Sequence, residues 1–247
     1  MQIIFIAGPA RVGKTALAEF LARETFELGM VPVLLSFAGP IKQQAKALGY
    51  SKKETPDTYR TFCQKLGAEK REENPDHWVN LFEQELLKIY DAEIASLKVG
   101  DVFWERCVLV DDCRYTNELE LGHKYKGNIV YLSPGSRELE EMTASWRSHH
   151  SEDLATKAEQ GDEKVISRFT HVVLNDGDLR NLQLKSKTMA PIWCGIQASH
   201  DECCCASCQA RRKHESTPGD LHALVEEIID LILLSEDEAS EDDNDNT

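Results

Sequence analysis

The chain has 247 residues, enough for one large domain or for a domain with a small appendage. Its 28 Lys and Arg against 43 Asp and Glu give a formal net charge of −15 at pH 7, which argues against wrapping nucleic acid or coating an anionic membrane. No stretch approaches the ~20 apolar residues of a membrane span, and the apolar start IIFIAG is short for a signal peptide and follows no basic region. The chain therefore reads as soluble, intracellular and cytoplasmic.

QIIFIA (2–7) is a short apolar run rich in β-branched residues and closed at once by Gly8 and Pro9, the pattern of a buried strand. From Lys14 to Leu28, Leu17, Phe20, Leu21, Phe26 and Leu28 lie among polar residues and predict a helix with one apolar stripe. Between them stands GPARVGKT (8–15), the pattern G-x-x-x-x-G-K-[ST] in its strand-to-helix setting. Gly8 and Gly13 let the backbone turn and approach oxygen atoms without a Cβ. The N–H groups of the loop, through Arg11 and Val12, and the helix N-terminus face an anion. Lys14 supplies a full charge to the β- and γ-phosphates of ATP, and Thr15 a hydroxyl to Mg²⁺.

MVPVLLSF (30–37) predicts a second strand, and AGPIKQQAKALGY a short helix with Pro40 near its start. Helices are expected over 56–73 and 75–98, then a strand at 106–114, a helix at 115–125, a strand at 128–133, a helix over 151–168 and a fifth strand at 170–176. DLHALVEEIIDLILL (220–234) has the pattern of an amphipathic closing helix, and SEDEASEDDNDNT, with seven acids and no base, that of a disordered tail. Alternating strands and helices mean α/β: a three-layer P-loop fold, about five parallel strands with helices on both faces. The expected organisation is a core over 1–182, an insert over 183–217, a helix of the core over 218–234 and the tail over 235–247.

CVLVDD ends the third strand with Asp111 and Asp112, where this class of site holds Mg²⁺ or its waters, and Arg114 follows as a planar clamp for phosphate oxygens. N-K-x-D, which a guanine-reading switch requires, does not occur. The helical stretch between the second and third strands carries Lys42, Arg60, Lys65, Lys70 and Arg71. Cations there suit an acceptor that already bears a phosphate and would otherwise repel the donor. Arg60 and Arg71 stand about three turns apart on one helix. Lys52, Lys53 and Lys70 read as a solvated face. SWRSHHSED (145–153) is a second cationic region, and a lid over about 136–160 would bring Arg147, with Arg137 as an alternative, onto the phosphates. His149 and His150 read either as groups that orient Ser151 and Glu152 or as part of a helix cap.

In order, AGPARVGKT, SFAGPIKQQAKALGY, YRTFCQKLGAEKREENPDHWV, VLVDDCRYTNELE, RSHHSEDL and HVVLND resemble the deoxynucleoside monophosphate kinases of bacteriophages and large DNA viruses, within the P-loop nucleoside monophosphate kinase fold. The likeness covers roughly residues 1–180. It implies transfer of the γ-phosphoryl of ATP to a nucleoside 5′-monophosphate, with Lys14, Arg114 and Arg147 on the transferring group. It implies Lys42, Arg60 and Arg71 on the acceptor phosphate, and Gln64 and Trp78 near the base or shaping its pocket. The family pattern is closer to DDVRFPNE, so Cys113, Tyr115 and Thr116 are departures at the turn after the strand. The animal-type phosphomevalonate kinases share a P-loop, a PIK block, the GAEKRE-like segment and a D-x-R strand end, and leave a non-nucleotide acceptor as the alternative.

Eight Cys are present, five of them between 194 and 208. Cys205 and Cys208 form a C-x-x-C, and Cys194 and His200 complete a candidate Zn²⁺ set, with Cys203, Cys204 and His214 as alternatives. A zinc knuckle with RRK (211–213) beside it leaves a third reading, a non-catalytic nucleotide-binding scaffold. Expected partners are small-molecule nucleotides, with a homodimer as a candidate assembly.

Overall fold

In the computed structural model, residues 1–99, 105–134 and 152–196 are described. The elements run β1 (Gln2–Ala7), α1 (Lys14–Glu27), β2 (Val31–Leu34), α2 (Gly39–Ala47), α3 (Pro56–Glu73), α4 (His77–Val99), β3 (Arg106–Cys113), α5 (Thr116–Lys124), β4 (Asn128–Pro134), α6 (Asp153–Glu159), α7 (Glu163–Ile166), β5 (His171–Asn175) and α8 (Leu179–Trp193). The strands form one sheet in the order β2-β3-β1-β4-β5, and every pairing is parallel. This is the three-layer α/β architecture that the alternation of strand and helix patterns predicts.

The apolar runs of β1, β3 and β4 are continuous because both faces of the sheet are covered. On β1, Ile3, Phe5 and Ala7 face one core with Phe82, Leu86, Leu119, Leu154 and Ala158, while Ile4 and Ile6 face the other with Leu17, Leu21, Leu182 and Trp193. Burying a side chain such as Phe5 or Leu17 contributes about 1.5–3 kcal/mol. The loops that follow β1, β2 and β3 leave the carboxyl ends of the strands, where ligands bind in parallel α/β sheets.

Three expectations are corrected. The strand expected over 30–37 stops at Leu34, because Ser36, Phe37 and Ala38 give their hydrogen bonds to Asp112 instead of to a ladder. The helix expected over 151–168 is two short helices, broken where Gly161 takes φ 81°. The stretch from 183, expected as part of an insert, is helical as far as Trp193: 183–193 belong to α8, whose Leu182, Ala190 and Trp193 pack in one core with Leu17 and Leu21 of α1. Arg147, His200, Cys205 and Cys208, the expected closing helix and the tail lie outside the described residues, as does most of the expected lid.

Candidate functional site

Gly8 follows β1 at φ 145°, and a Cβ there would lie 2.4 Å from the carbonyl oxygen of Leu132, so only glycine fits. Arg11 takes φ 65° and Gly13 φ 93°, and the chain enters α1 at Lys14 with no side chain capping its first turn. The N-terminal N–H groups of α1 are thus directed at whatever the loop holds. Asn175, at the end of β5, donates from Nδ2 to the Val12 carbonyl at 2.9 Å and pins the loop from the far strand.

Lys14 is nearly buried and its Nζ donates to the carbonyls of Gly8 and Pro9 at 2.8 and 2.7 Å. Burial, and then the charge of Arg114, lower its pKa to about 8. Thr15 Oγ1 donates to Asp111 Oδ2 at 2.6 Å, which joins the start of α1 to the end of β3. A hydroxyl and a carboxylate oxygen at this spacing are the hard donors that Mg²⁺ takes. Asp112 does something else. Its carboxylate accepts from Ser36 Oγ at 2.6 Å, from the Phe37 N–H at 3.0 Å and from the Ala38 N–H at 2.9 Å. It shapes the turn into α2, so of the expected pair Asp111 is the one that faces Thr15.

Arg114 donates from Nη1 to Glu152 Oε1 at 2.7 Å. The other oxygen, Oε2, accepts from the Ala10 N–H at 2.9 Å. Glu152 is buried and ties the loop after β1 to Arg114, the residue that follows β3. Glu118, the N3 residue of α5, caps that helix by accepting from the Arg114 and Tyr115 N–H groups at 2.6 and 3.0 Å. It is wholly desolvated; burial, and then the charge of Asp112, push its pKa up to about 7.

Arg71 is held in three ways. Its Nη1 donates to the Gly67 carbonyl at 3.1 Å, its Nη2 lies 3.5 Å from Glu118 Oε1, and its guanidinium covers the Tyr115 ring at 3.9 Å. Tyr115, a departure from the family pattern, is thus the platform for a cation. Trp78 does not line the cavity. It is buried in α4 and its indole N–H donates to the same Gly67 carbonyl at 3.2 Å. Asn117 Nδ2 donates to the Pro75 carbonyl at 3.0 Å and to Asp76 Oδ1 at 2.9 Å, so the NE of one motif block grips the PD of another.

Many of these groups border one cavity of 1630 Å³. Its lining includes Lys14, Thr15, Asp111 and Arg114, and, from α2 and α3, Lys42, Arg60, Gln64 and Arg71. Lys52, read from the sequence as solvated, also lines it. Sequence reasoning missed Glu152, Glu118, Asn117 and Asn175 as site residues. The R-x-x-NE spacing contained two of them, and a Glu beside the HHSE cluster contained a third.

The cysteines divide differently. Cys194 closes α8 and is buried. It hydrogen-bonds with Cys107, and this contact, followed by desolvation, raises the Cys107 thiol well above its ordinary value. The described member of the expected zinc set is therefore committed to the core. Among the described residues no group of three His, Cys, Asp or Glu is arranged to hold a metal ion, and no helix is long and apolar enough to cross a membrane.

No family model matches the chain, and no curated protein does. Among solved structures it is similar to a shikimate kinase from Bacteroides thetaiotaomicron, at 16% identity and TM-score 0.42 over 78% of this chain and 98% of that one. It is also similar to a shikimate kinase from Acinetobacter baumannii in complex with shikimate, at 13% identity and TM-score 0.42 over 81% and 96%. A dephospho-CoA kinase from Campylobacter jejuni matches at 13% identity and TM-score 0.40 over 80% and 100%.

Proposed function

We propose that the chain is an ATP-dependent phosphotransferase whose acceptor is a nucleoside or deoxynucleoside 5′-monophosphate. The observation that carries this reading is the continuity of the cavity. At 1630 Å³ it exceeds the roughly 300–1,000 Å³ that one drug-sized ligand fills. Its lining joins the groups of the loop after β1 to Lys42, Arg60 and Arg71 of α2 and α3. Two ligands can therefore meet in it, and these three cations suit an anionic acceptor.

In this reading the N–H groups of the loop and Lys14 hold the donor's phosphates. Thr15 and Asp111 would hold Mg²⁺, which when bound neutralises charge on the donor's oxygens. Arg71, rigid against Tyr115 and Gly67, presents its outer edge to the acceptor phosphate, and Lys42 and Arg60 share that charge. Arg114, which follows β3, stabilises the group in transit. The attacking phosphate oxygen needs no strong base. What the chain supplies is alignment and charge, the two terms that dominate phosphoryl transfer.

The test is a panel. The protein is mixed with Mg-ATP and each of the four deoxynucleoside monophosphates, the ribonucleotides, mevalonate 5-phosphate, shikimate and dephospho-CoA, and ADP release is followed. Turnover on a nucleoside monophosphate supports the proposal and names the base. Turnover confined to a non-nucleotide acceptor overturns it in favour of another small-molecule kinase.

A further inference from the structure

The Glu152 carboxylate joins two groups of the candidate site. One oxygen takes the N–H of Ala10 at 2.9 Å and the other takes Nη1 of Arg114 at 2.7 Å. The side chain is only 8% exposed, and its charge is among those that act on Lys14. Carboxylate and phosphate offer an arginine the same paired acceptors, and a loop N–H binds either.

We propose that Glu152 is a resident anion of the phosphate cradle, displaced by the terminal phosphoryl group of the donor, so that Arg114 changes partner from carboxylate to phosphoryl. Two anions held against one another in a desolvated site repel strongly. The terminal phosphoryl is the part of the donor that meets the acceptor, and Arg114 lines the same cavity. An ADP molecule, which lacks this group, leaves Glu152 in place. Glu152 is also the residue before α6, and its side chain bonds Ala10 and Arg114 instead of capping that helix. The exchange makes the site sense a triphosphate, and it rests on the reading of the loop as a nucleotide cradle and not on the identity of the acceptor.

The experiment is calorimetric titration of the full chain, wild type and Glu152→Gln, with Mg²⁺ and either ADP or a β,γ-imido analogue of ATP. Removing a resident competitor that occupies nine molecules in ten tightens the analogue by about tenfold. ADP is expected to bind both proteins alike. Unchanged or weaker analogue binding by the variant overturns the proposal and makes Glu152 a strut for Arg114. Equal tightening of both nucleotides overturns it too, since that is a general charge effect. Glu152→Ala is the second variant, and a cooperative urea transition in each shows that it folds. Tightening of the analogue alone by both variants supports displacement, and tightening by neither contradicts it. If neither nucleotide binds, the reading of the loop falls and this proposal falls with it. If both bind as expected but no acceptor turns over, the kinase reading falls and the exchange stands.

Discussion

Thr15 Oγ1 donates a 2.6 Å hydrogen bond to Asp111 Oδ2 across 96 positions of sequence. The contact exists because β3 lies beside β1 in the sheet, with Phe5 opposite Val110, so the end of β3 meets the start of the helix that β1 feeds. Two oxygens of the kind Mg²⁺ takes are brought together by the order of the strands.

The pair separates the duties of the two aspartates. Asp111→Asn is expected to lower kcat by about a hundredfold, the scale of removing one preorganised charge, and to raise the Mg²⁺ needed for half-maximal rate. Asp112→Asn is expected to cost stability, on the order of 1–3 kcal/mol for leaving buried donors of the 36–38 turn poorly paired. Initial rates against Mg²⁺ concentration and urea midpoints for both variants decide the matter. Equal Mg²⁺ dependence in the two variants would refute the division.

Lys14 titrates near 8 because burial, first, and Arg114, second, disfavour its charge. The protonated form is the one that meets phosphates. Donor affinity is therefore expected to be flat below pH 8 and to weaken above it, by up to about tenfold per pH unit. Lys14→Ala is expected to weaken binding at every pH, to lose the break near 8 and to lose nearly all turnover. Titration with an ATP analogue at pH 7, 8 and 9 checks this, and a wild-type affinity that holds to pH 9 would remove the role given to the lysine.

The strand-to-helix turn at 8–15 was legible because its pattern leaves few choices: a Gly8 that a Cβ would drive into Leu132, and a lysine and a hydroxyl at the helix start. Asp111 and Asp112 looked equivalent in sequence, yet neighbours on a strand point to opposite faces, so only one can meet Thr15. Trp78 reads from the resemblance as near the base or shaping its pocket; the helical period of α4 turns it to the core, where it bonds the carbonyl of Gly67, a residue of the cavity lining. Glu152 could not be paired in advance, since its partner Ala10 is 142 positions away and only the fold brings them together. The start of the cysteine segment hid α8, whose buried stripe includes Ser186 and Ala190, too weakly apolar to stand out beside Cys and Lys.

Arg71 is fixed by the planar fork and flat face of its guanidinium, and both are lost in lysine. Arg71→Lys keeps the charge but neither the stack on Tyr115 nor the paired contacts with Gly67 and Glu118. It is expected to raise the acceptor KM by about tenfold, a loss of about 1.4 kcal/mol, while donor affinity stays as in the wild type. Trp78→Phe is expected to keep both KM values and to lose on the order of 1 kcal/mol of stability with the hydrogen bond to Gly67. Steady-state kinetics with each substrate varied in turn separates the two, and a large acceptor KM change in Trp78→Phe would return the indole to the binding wall.

Glu118 makes a prediction about stability. Burial, then Asp112, raise its folded pKa from 4.5 to about 7, against the hydrogen bonds from Arg114 and Tyr115 and the charge of Arg71. Below pH 4.5 both folded and unfolded chains hold the proton and nothing is lost. Between 4.5 and about 7 the unfolded chain ionises first, so stability falls as pH rises, by roughly 2–4 kcal/mol across the window. Glu118→Gln keeps one acceptor oxygen and cannot ionise. Relative to wild type it is therefore expected to be less stable or equal at pH 4.5, to gain on it up to about pH 7 and to hold that gain to pH 8. Urea unfolding of both proteins at half-unit steps from pH 4.5 to 8 measures the difference directly. Parallel profiles would mean that Glu118 is ionised throughout, held by Arg71 and the two N–H groups of the α5 cap.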